Sequence, residues 1–395
     1  MNFLSKAISN YKIILAIVLL FALAASFQSY FQQARTFGES TIKYTNYNNY
    51  VIFKQSFIHL IENKDLYQLY PKEHWDLFKY SPTFSLFFGA LAIFPDLIGL
   101  NLWNILNAIT LMLAVYYLPK VNLKQKGLIV LIFLIELMTS MQNEQSNALI
   151  AGLIILAFGL LERQHYFIAA FCVVFSVFIK LFGIVGFALF LFYPQKWKLI
   201  LYTTVWIVIL FLLPLLVVDF QQLKLLYLSW GNMLEADHSG SYGFSVMGWL
   251  QSWFGFAANK LSVVAAGVIL FLLPLMRFDL YKKYLFRILT LSSVLLWIVI
   301  FNHKAESPTF VIAMAGVSIW FIIGDKNLLN SILFFSALLF TSLSPTDIFP
   351  RFLREEFVIP YSLKVVPCIL IWLAILFKMI AIKNESTVSQ GKTSE

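Results

Sequence analysis

One lysine interrupts a long apolar stretch: Lys180, in Val177-Phe178-Ile179-Lys180-Leu181-Phe182-Gly183. An ammonium in such surroundings costs about 2.5–3.5 kcal/mol on insertion scales. It either snorkels to an interface or meets an anion such as a phosphate. Glu136, in Leu134-Ile135-Glu136-Leu137, raises the same question, with a structural partner for a neighbouring helix as the competing answer. Upstream of Lys180, Gln142-Asn143-Glu144-Gln145-Ser146-Asn147 sets six polar residues and one charge between apolar runs. Such a run is costly at membrane depth unless it lines a wet cavity. There Gln145 and Asn147 would donate and accept for a sugar or a pyrophosphate; otherwise the run is a plain turn. Asn302-His303-Lys304-Ala305-Glu306-Ser307-Pro308 packs three ionisable groups into a short link, the kind of cluster that shifts pKa values. Glu235-Ala236-Asp237-His238-Ser239-Gly240 combines acids, a histidine and small residues, which suits a lid as well as a plain loop. The segment 32–80 carries Asn46-Tyr47-Asn48-Asn49-Tyr50, then Lys64-Asp65-Leu66-Tyr67, then Trp75-Asp76-Leu77-Phe78-Lys79-Tyr80. Aromatic faces next to amides make a platform for an amphiphilic substrate, or anchor a surface loop.

The elements that hold these residues follow from composition. Sixty per cent of the chain is hydrophobic, 12% is charged, and mean hydropathy is +0.79. A soluble domain carries about twice that charged fraction, so the solvent is lipid. The 40 Phe and 10 Trp fit aromatic girdles. The net charge of +9 resides in short clusters between apolar runs, as the positive-inside rule requires, and is not a nucleic-acid signal. Cys172 and Cys368 are expected as buried thiols, and five scattered histidines offer no metal cluster.

The first apolar run, about 13–31, reads as a retained helix rather than a signal peptide. In 32–80, Tyr50, Phe53, Phe57, Leu60 and Ile61 recur at spacings of three and four, which predicts an amphipathic helix lying on a surface. Further apolar runs are 82–95, 98–118, 127–141, 147–161, 166–179, 181–194, 199–218, 262–276, 288–301, 308–323, 329–343 and 363–382. Together they predict one integral membrane domain over 1–382 with about 11–13 crossings, and a polar, disordered cytoplasmic tail over 383–395. The basic links go to the cytoplasm. The outer face receives 32–80, the region of 139–147, 219–261, 302–307 and 344–362, and with them most of the chemistry. Pro95-Asp96 looks like a break between two helices, yet placing both 80 and 120 by the positive-inside rule requires 82–118 to cross an odd number of times. No internal repeat is visible.

The order of these features resembles the polytopic C-type-fold glycosyltransferases, and more narrowly glycosyltransferase family 87, the polyprenyl-phosphate-mannose-dependent alpha-mannosyltransferases. The residues that carry the resemblance are Asp65-Leu66-Tyr67, Tyr80-Ser81-Pro82, Leu102-Trp103-Asn104-Ile105-Leu106-Asn107, Gln145-Ser146-Asn147, Ile179-Lys180-Leu181-Phe182-Gly183 and Gln195-Lys196-Trp197-Lys198. The resemblance implies an all-α polytopic fold whose first outer loop forms part of the site. It also implies a lipid-phosphate sugar donor, a glycan or glycolipid acceptor, inversion at the anomeric carbon, and no cofactor or essential metal. A bacterial inner (plasma) membrane with the site facing outward fits that chemistry. The family begins its first loop with an Asp and an aromatic residue; the matching pair here is Asn49-Tyr50. An amide is no general base, so another group must serve. The candidates are His303 with Glu306, then Asp237 with His238, then Glu39, while Asn49, Tyr50, Asp65, Tyr80, Gln145, Asn147 and Lys180 are expected to bind substrate. Two other readings stand beside the enzyme: a non-catalytic glycolipid-binding relative, which Asn49 suggests, and a transporter of an amphiphilic solute, which would show inverted repeats.

Overall fold

A computed structural model of the chain describes residues 3–38, 41–236 and 242–383, and every named element among them is helical. Arg35 and Tyr44 form an isolated antiparallel bridge. Three helices of 21 residues, Tyr11–Phe31, Asp96–Tyr116 and Lys196–Leu216, are long and apolar enough to cross a membrane. At about 1.5 Å per residue they match a bilayer core of about 30 Å. Shorter apolar helices complete a polytopic arrangement. The chain divides into two compact units, 1–241 with 306–315 and 242–305 with 316–395.

The first unit runs α1 (Phe3–Ser9), α2 (Tyr11–Phe31), α3 (Asn48–Ile61), α4 (Pro82–Ala92), α5 (Asp96–Tyr116), α6 (Leu123–Gln142), α7 (Asn147–Leu161), α8 (Tyr166–Ile179), a 3-10 helix over Leu181–Phe192, α9 (Lys196–Leu212) and α10 (Phe220–Ala236). Side-chain caps fix several starts. Asn10 caps α2, Ser81 caps α4 with Pro82 in the first turn, and Asn122 with Gln125 closes a capping box on α6. The core is α5 against α7 and α2. Lipid tails are as apolar as leucine, so such helices gain by close approach and by polar contacts shielded from lipid. Gly152 provides the approach: a Cβ there would meet Leu111 N and Thr110 C at 2.9 Å. Two buried amides on α5 provide the contacts. Asn107 Oδ1 accepts from Leu149 N at 2.9 Å, and Asn104 Nδ2 donates to Ser26 Oγ at 2.9 Å.

The expected amphipathic helix is α3. Tyr50, Phe53 and Leu60 are buried, Phe57 is half-buried and Ile61 is exposed. Phe53 meets Tyr80, Phe84, Phe88 and Trp103 edge-on with centroids 4.8–5.7 Å apart. Each such ring contributes about 1.5–3 kcal/mol when removed from water. This cluster ties 48–61 to α4 and α5. It also explains the break at Pro95-Asp96. The eleven residues of α4 reach about 16 Å, half a bilayer core. The residues just beyond α4 return to α3, where Lys54 Nζ pairs with Asp96 Oδ1 at 2.7 Å. Both ends of α4 are thus tied to 32–80 and its continuation.

The second unit contains α11 (Val246–Phe254), α12 (Lys260–Leu275), α13 (Tyr284–Ile300), most of α14 (Phe310–Ile323), α15 (Leu328–Ser336), the short α16 (Arg351–Leu353) and α17 (Val366–Ala381). Trp372 Nε1 donates to Ser293 Oγ at 2.9 Å, joining α17 to α13. An apolar cavity of about 490 Å³ opens between α11, α12 and α17, with Phe301 and Trp372 in its wall. The segment 219–261, expected as an outer loop, holds two helices instead, α10 and α11. Leu223, Leu226 and Met233 give α10 its buried stripe.

Candidate functional site

Lys180 owes its position to a chain reversal. After α8, Lys180 adopts extended dihedrals (φ −143°, ψ 132°), and the 3-10 helix begins at once. Its N–H still reaches Ser176 O at 3.0 Å. Glycine is needed at 183, because a Cβ there would lie 2.5 Å from Ser176 Oγ and 2.7 Å from Ser176 C. Ser81 locks the turn from the other side by donating to Phe178 O at 2.5 Å.

The ammonium then meets the polar run before α7. Lys180 Nζ donates to Gln145 Oε1 at 3.1 Å and to Asn147 Oδ1 at 3.0 Å, and it lies 5.4 Å from the centroid of the Tyr80 ring. An ammonium has three donors. Two are committed here to neutral amides, which orient the charge without cancelling it. One donor is left over. The ring face of Tyr80 adds attraction for a cation, and its hydroxyl lies 3.3 Å from Ser146 Oγ. The same run binds two further elements. Asn147 Nδ2 donates to Pro308 O at 3.1 Å, which brings in the turn Ser307–Thr309. Asn49 Nδ2 donates to Asn143 O at 2.9 Å, which brings in α3. Glu306 heads that turn. Its carboxylate accepts from the Thr309 N–H while its own N–H reaches Thr309 Oγ1 at 3.3 Å. The side chain is exposed, and its charge acts on both Lys180 and Tyr80.

Six expected site residues thus converge on one neighbourhood: Asn49, Tyr80, Gln145, Asn147, Lys180 and Glu306. Tyr50 points elsewhere. It is buried against Phe88 at 5.5 Å, with its hydroxyl where a Cβ on Gly99 would stand. Asp65 caps its own turn. Oδ1 accepts from Tyr67 N at 3.1 Å, and Oδ2 accepts from Ser229 Oγ at 2.8 Å. His303 belongs to the second unit, where its carbonyl faces Gly243. Glu39, Asp237 and His238 lie outside the described residues. Three residues not singled out in the sequence help build the site: Ser81, Ser146 and Ser229. The first two lay inside motifs already quoted, but nothing local marks Ser229, whose partner is 164 positions away.

An all-helical polytopic chain with many long apolar helices is, as a class, an integral membrane protein, and this one holds a lysine on two amides at a helix break. The model of glycosyltransferase family 87 matches residues 78–345, more than half of the chain, and the protein belongs to that family. It is therefore an integral membrane protein of a glycosyltransferase family. No curated protein matches it.

Proposed function

We propose that the protein transfers a hexose, mannose in the first instance, from a polyprenyl-phosphate donor to a hydroxyl of a lipid or cell-envelope glycan on the outer face of the membrane. The observation that carries this reading is the Lys180 ammonium, with two N–H groups on Gln145 and Asn147 and one uncommitted. A phosphate oxygen of the donor takes the third N–H as a charge-assisted hydrogen bond. The acceptor oxygen attacks the anomeric carbon from the face opposite the phosphate. The new C–O bond forms as the bond between the anomeric carbon and the phosphate oxygen breaks, and the configuration inverts. The electron pair leaves with the lipid phosphate, which is stable as an anion, so the reaction needs no metal or cofactor. The acceptor's proton goes to a base. We assign that role to Glu306, an exposed carboxylate at the head of the turn whose Pro308 carbonyl is held by Asn147. Asn49 is left to hold the acceptor through its amide.

Incubation of purified protein and a membrane extract with radiolabelled polyprenyl-phosphate mannose tests the proposal. Wild type should move label into a new product, and Glu306→Gln should not. A second reading, a non-catalytic glycolipid-binding relative, rests on Asn49, an amide where the family has a carboxylate. It wins if wild type binds the donor without turnover and Asn49→Asp creates transfer.

A further inference from the structure

A second cavity, of about 400 Å³, lies beside this neighbourhood in the first unit. Asp65, Tyr67 and Leu77 form one wall; Ser229, Asn232 and Met233 of α10 form the other. Its volume falls in the range of small-molecule sites. We propose that it binds the uncharged sugar headgroup of the acceptor, an inference that rests on the transferase reading above.

The lining chemistry selects this ligand. Asp65 Oδ1 accepts from Tyr67 N, and Oδ2 accepts from Ser229 Oγ and, at 3.5 Å, from Gln68 Nε2, so Oδ1 can accept one further hydrogen bond. The acceptor site left over suits a hydroxyl of a pyranose. Asn232 is exposed on the cavity wall, and its amide has no hydrogen bond among the described residues. Tyr67, Leu77 and Met233 give apolar surface for the C–H face of the ring. Among the described residues, no lysine or arginine lines the cavity. Its one carboxylate repels phosphate, so an anionic donor is directed to Lys180 and a neutral polyol is left for this cavity. The two places are also joined. Tyr67 Oη donates to Tyr80 O at 2.9 Å, and the Tyr80 ring lies under Lys180. Tyr67 and Tyr80 thus link the headgroup cavity to the ammonium.

The test uses octyl mannoside with a photoreactive diazirine on the sugar, applied to the full protein in phosphatidylcholine nanodiscs. An octyl phosphocholine analogue with the same reactive group is the control. The mannoside should label peptides 65–77 and 229–236, and unlabelled octyl mannoside should compete. Asn232→Trp, at an exposed position, should cut labelling about tenfold, the scale of one or two lost hydrogen bonds to a charged or amide partner. If that variant fails to fold, Ala236→Trp blocks the same wall one turn on. Lys180→Met should leave labelling unchanged. Labelling at other peptides, full labelling of the tryptophan variant, or equal labelling by the phosphocholine probe would overturn the cavity assignment. Retained labelling in a wild-type protein without transfer would leave the cavity a sugar site and sink the transferase reading instead.

Discussion

Lys180 is held by two amides and not by a partner carboxylate at salt-bridge distance, and that difference sets what it can do. A carboxylate would satisfy the charge and leave a structural ion pair. Gln145 and Asn147 aim the ammonium and leave its charge available. Lys180→Met should therefore lower turnover by about two to three orders of magnitude, the cost of removing one charge-stabilising donor from a group-transfer site. The fold should survive, because methionine fills the stem's space and leaves two neutral amides that can pair with water. Thermal unfolding beside the radiolabel assay checks this. Asn147→Leu is a milder change. It removes one acceptor from Lys180 and the bond to Pro308 O, so the KM for the donor should rise about tenfold. Much of this residue-level picture is legible in the sequence, since a lone lysine and a run of amides between apolar helices announce themselves by cost. The link from Tyr67 through Tyr80 is not, because it depends on how a loop closes over a backbone carbonyl.

Among the elements, α5 and α7 meet at Gly152, where any side chain must push two backbones apart. Gly152→Leu should cost about 1–3 kcal/mol by overpacking and lower the unfolding temperature in detergent. Gly231→Ala is the control, since a Cβ there meets open space. The apolar runs in the sequence mark nearly all of these helices within a few residues, because burial in lipid demands continuous apolar surface. Two features escape the pattern. The 92–96 break resembles a turn between two crossings, and nothing in the sequence shows that Asp96 pairs back with Lys54 of α3. The helix α10 does not stand out because Gln221, Gln222, Lys224, Ser229, Asn232 and Glu235 interrupt its apolar residues, of which only Leu223, Leu226 and Met233 are buried. The segment 32–80 also carries its own pH dependence. Burial holds both His59 and His74 below the usual histidine pKa, with Glu73, 2.9 Å from His59, pulling partly the other way. A depressed folded-state value means the unfolded segment binds protons more readily. The stability these rings contribute is fully present above about pH 6.5, the ordinary histidine value, and is lost as pH falls below it. Emission of Trp75, which pairs with Asn48 at both its N–H and its carbonyl, should shift as pH drops from 7 to 5. His74→Asn should blunt that shift.

At the scale of the whole molecule, the question is which side of the membrane the first unit's site faces. A lipid-linked donor can diffuse in the bilayer plane to a site at a helix break, while a glycan acceptor must come from water. The chain keeps its polar segments and its basic links apart along the sequence. Lys120, Lys124 and Lys126 follow α5, and Lys196 and Lys198 open α9, whereas the run before α7 and the break at Lys180 join the opposite helix ends. The positive-inside rule predicts cytoplasmic basic links and a Lys180 neighbourhood that faces out. Cysteine labelling tests this without a cysteine-free background, because Cys172 and Cys368 are both buried thiols. Single cysteines at Lys43 and Asn232, both exposed, should react with an impermeant maleimide on intact cells. Cysteines at Lys124 and Lys198, also exposed, should react only after the membrane is opened. The reverse pattern would put the sugar chemistry in the cytoplasm. A polyprenyl-phosphate donor presented on the outer leaflet could not then reach Lys180, and the proposed reaction would fail with it.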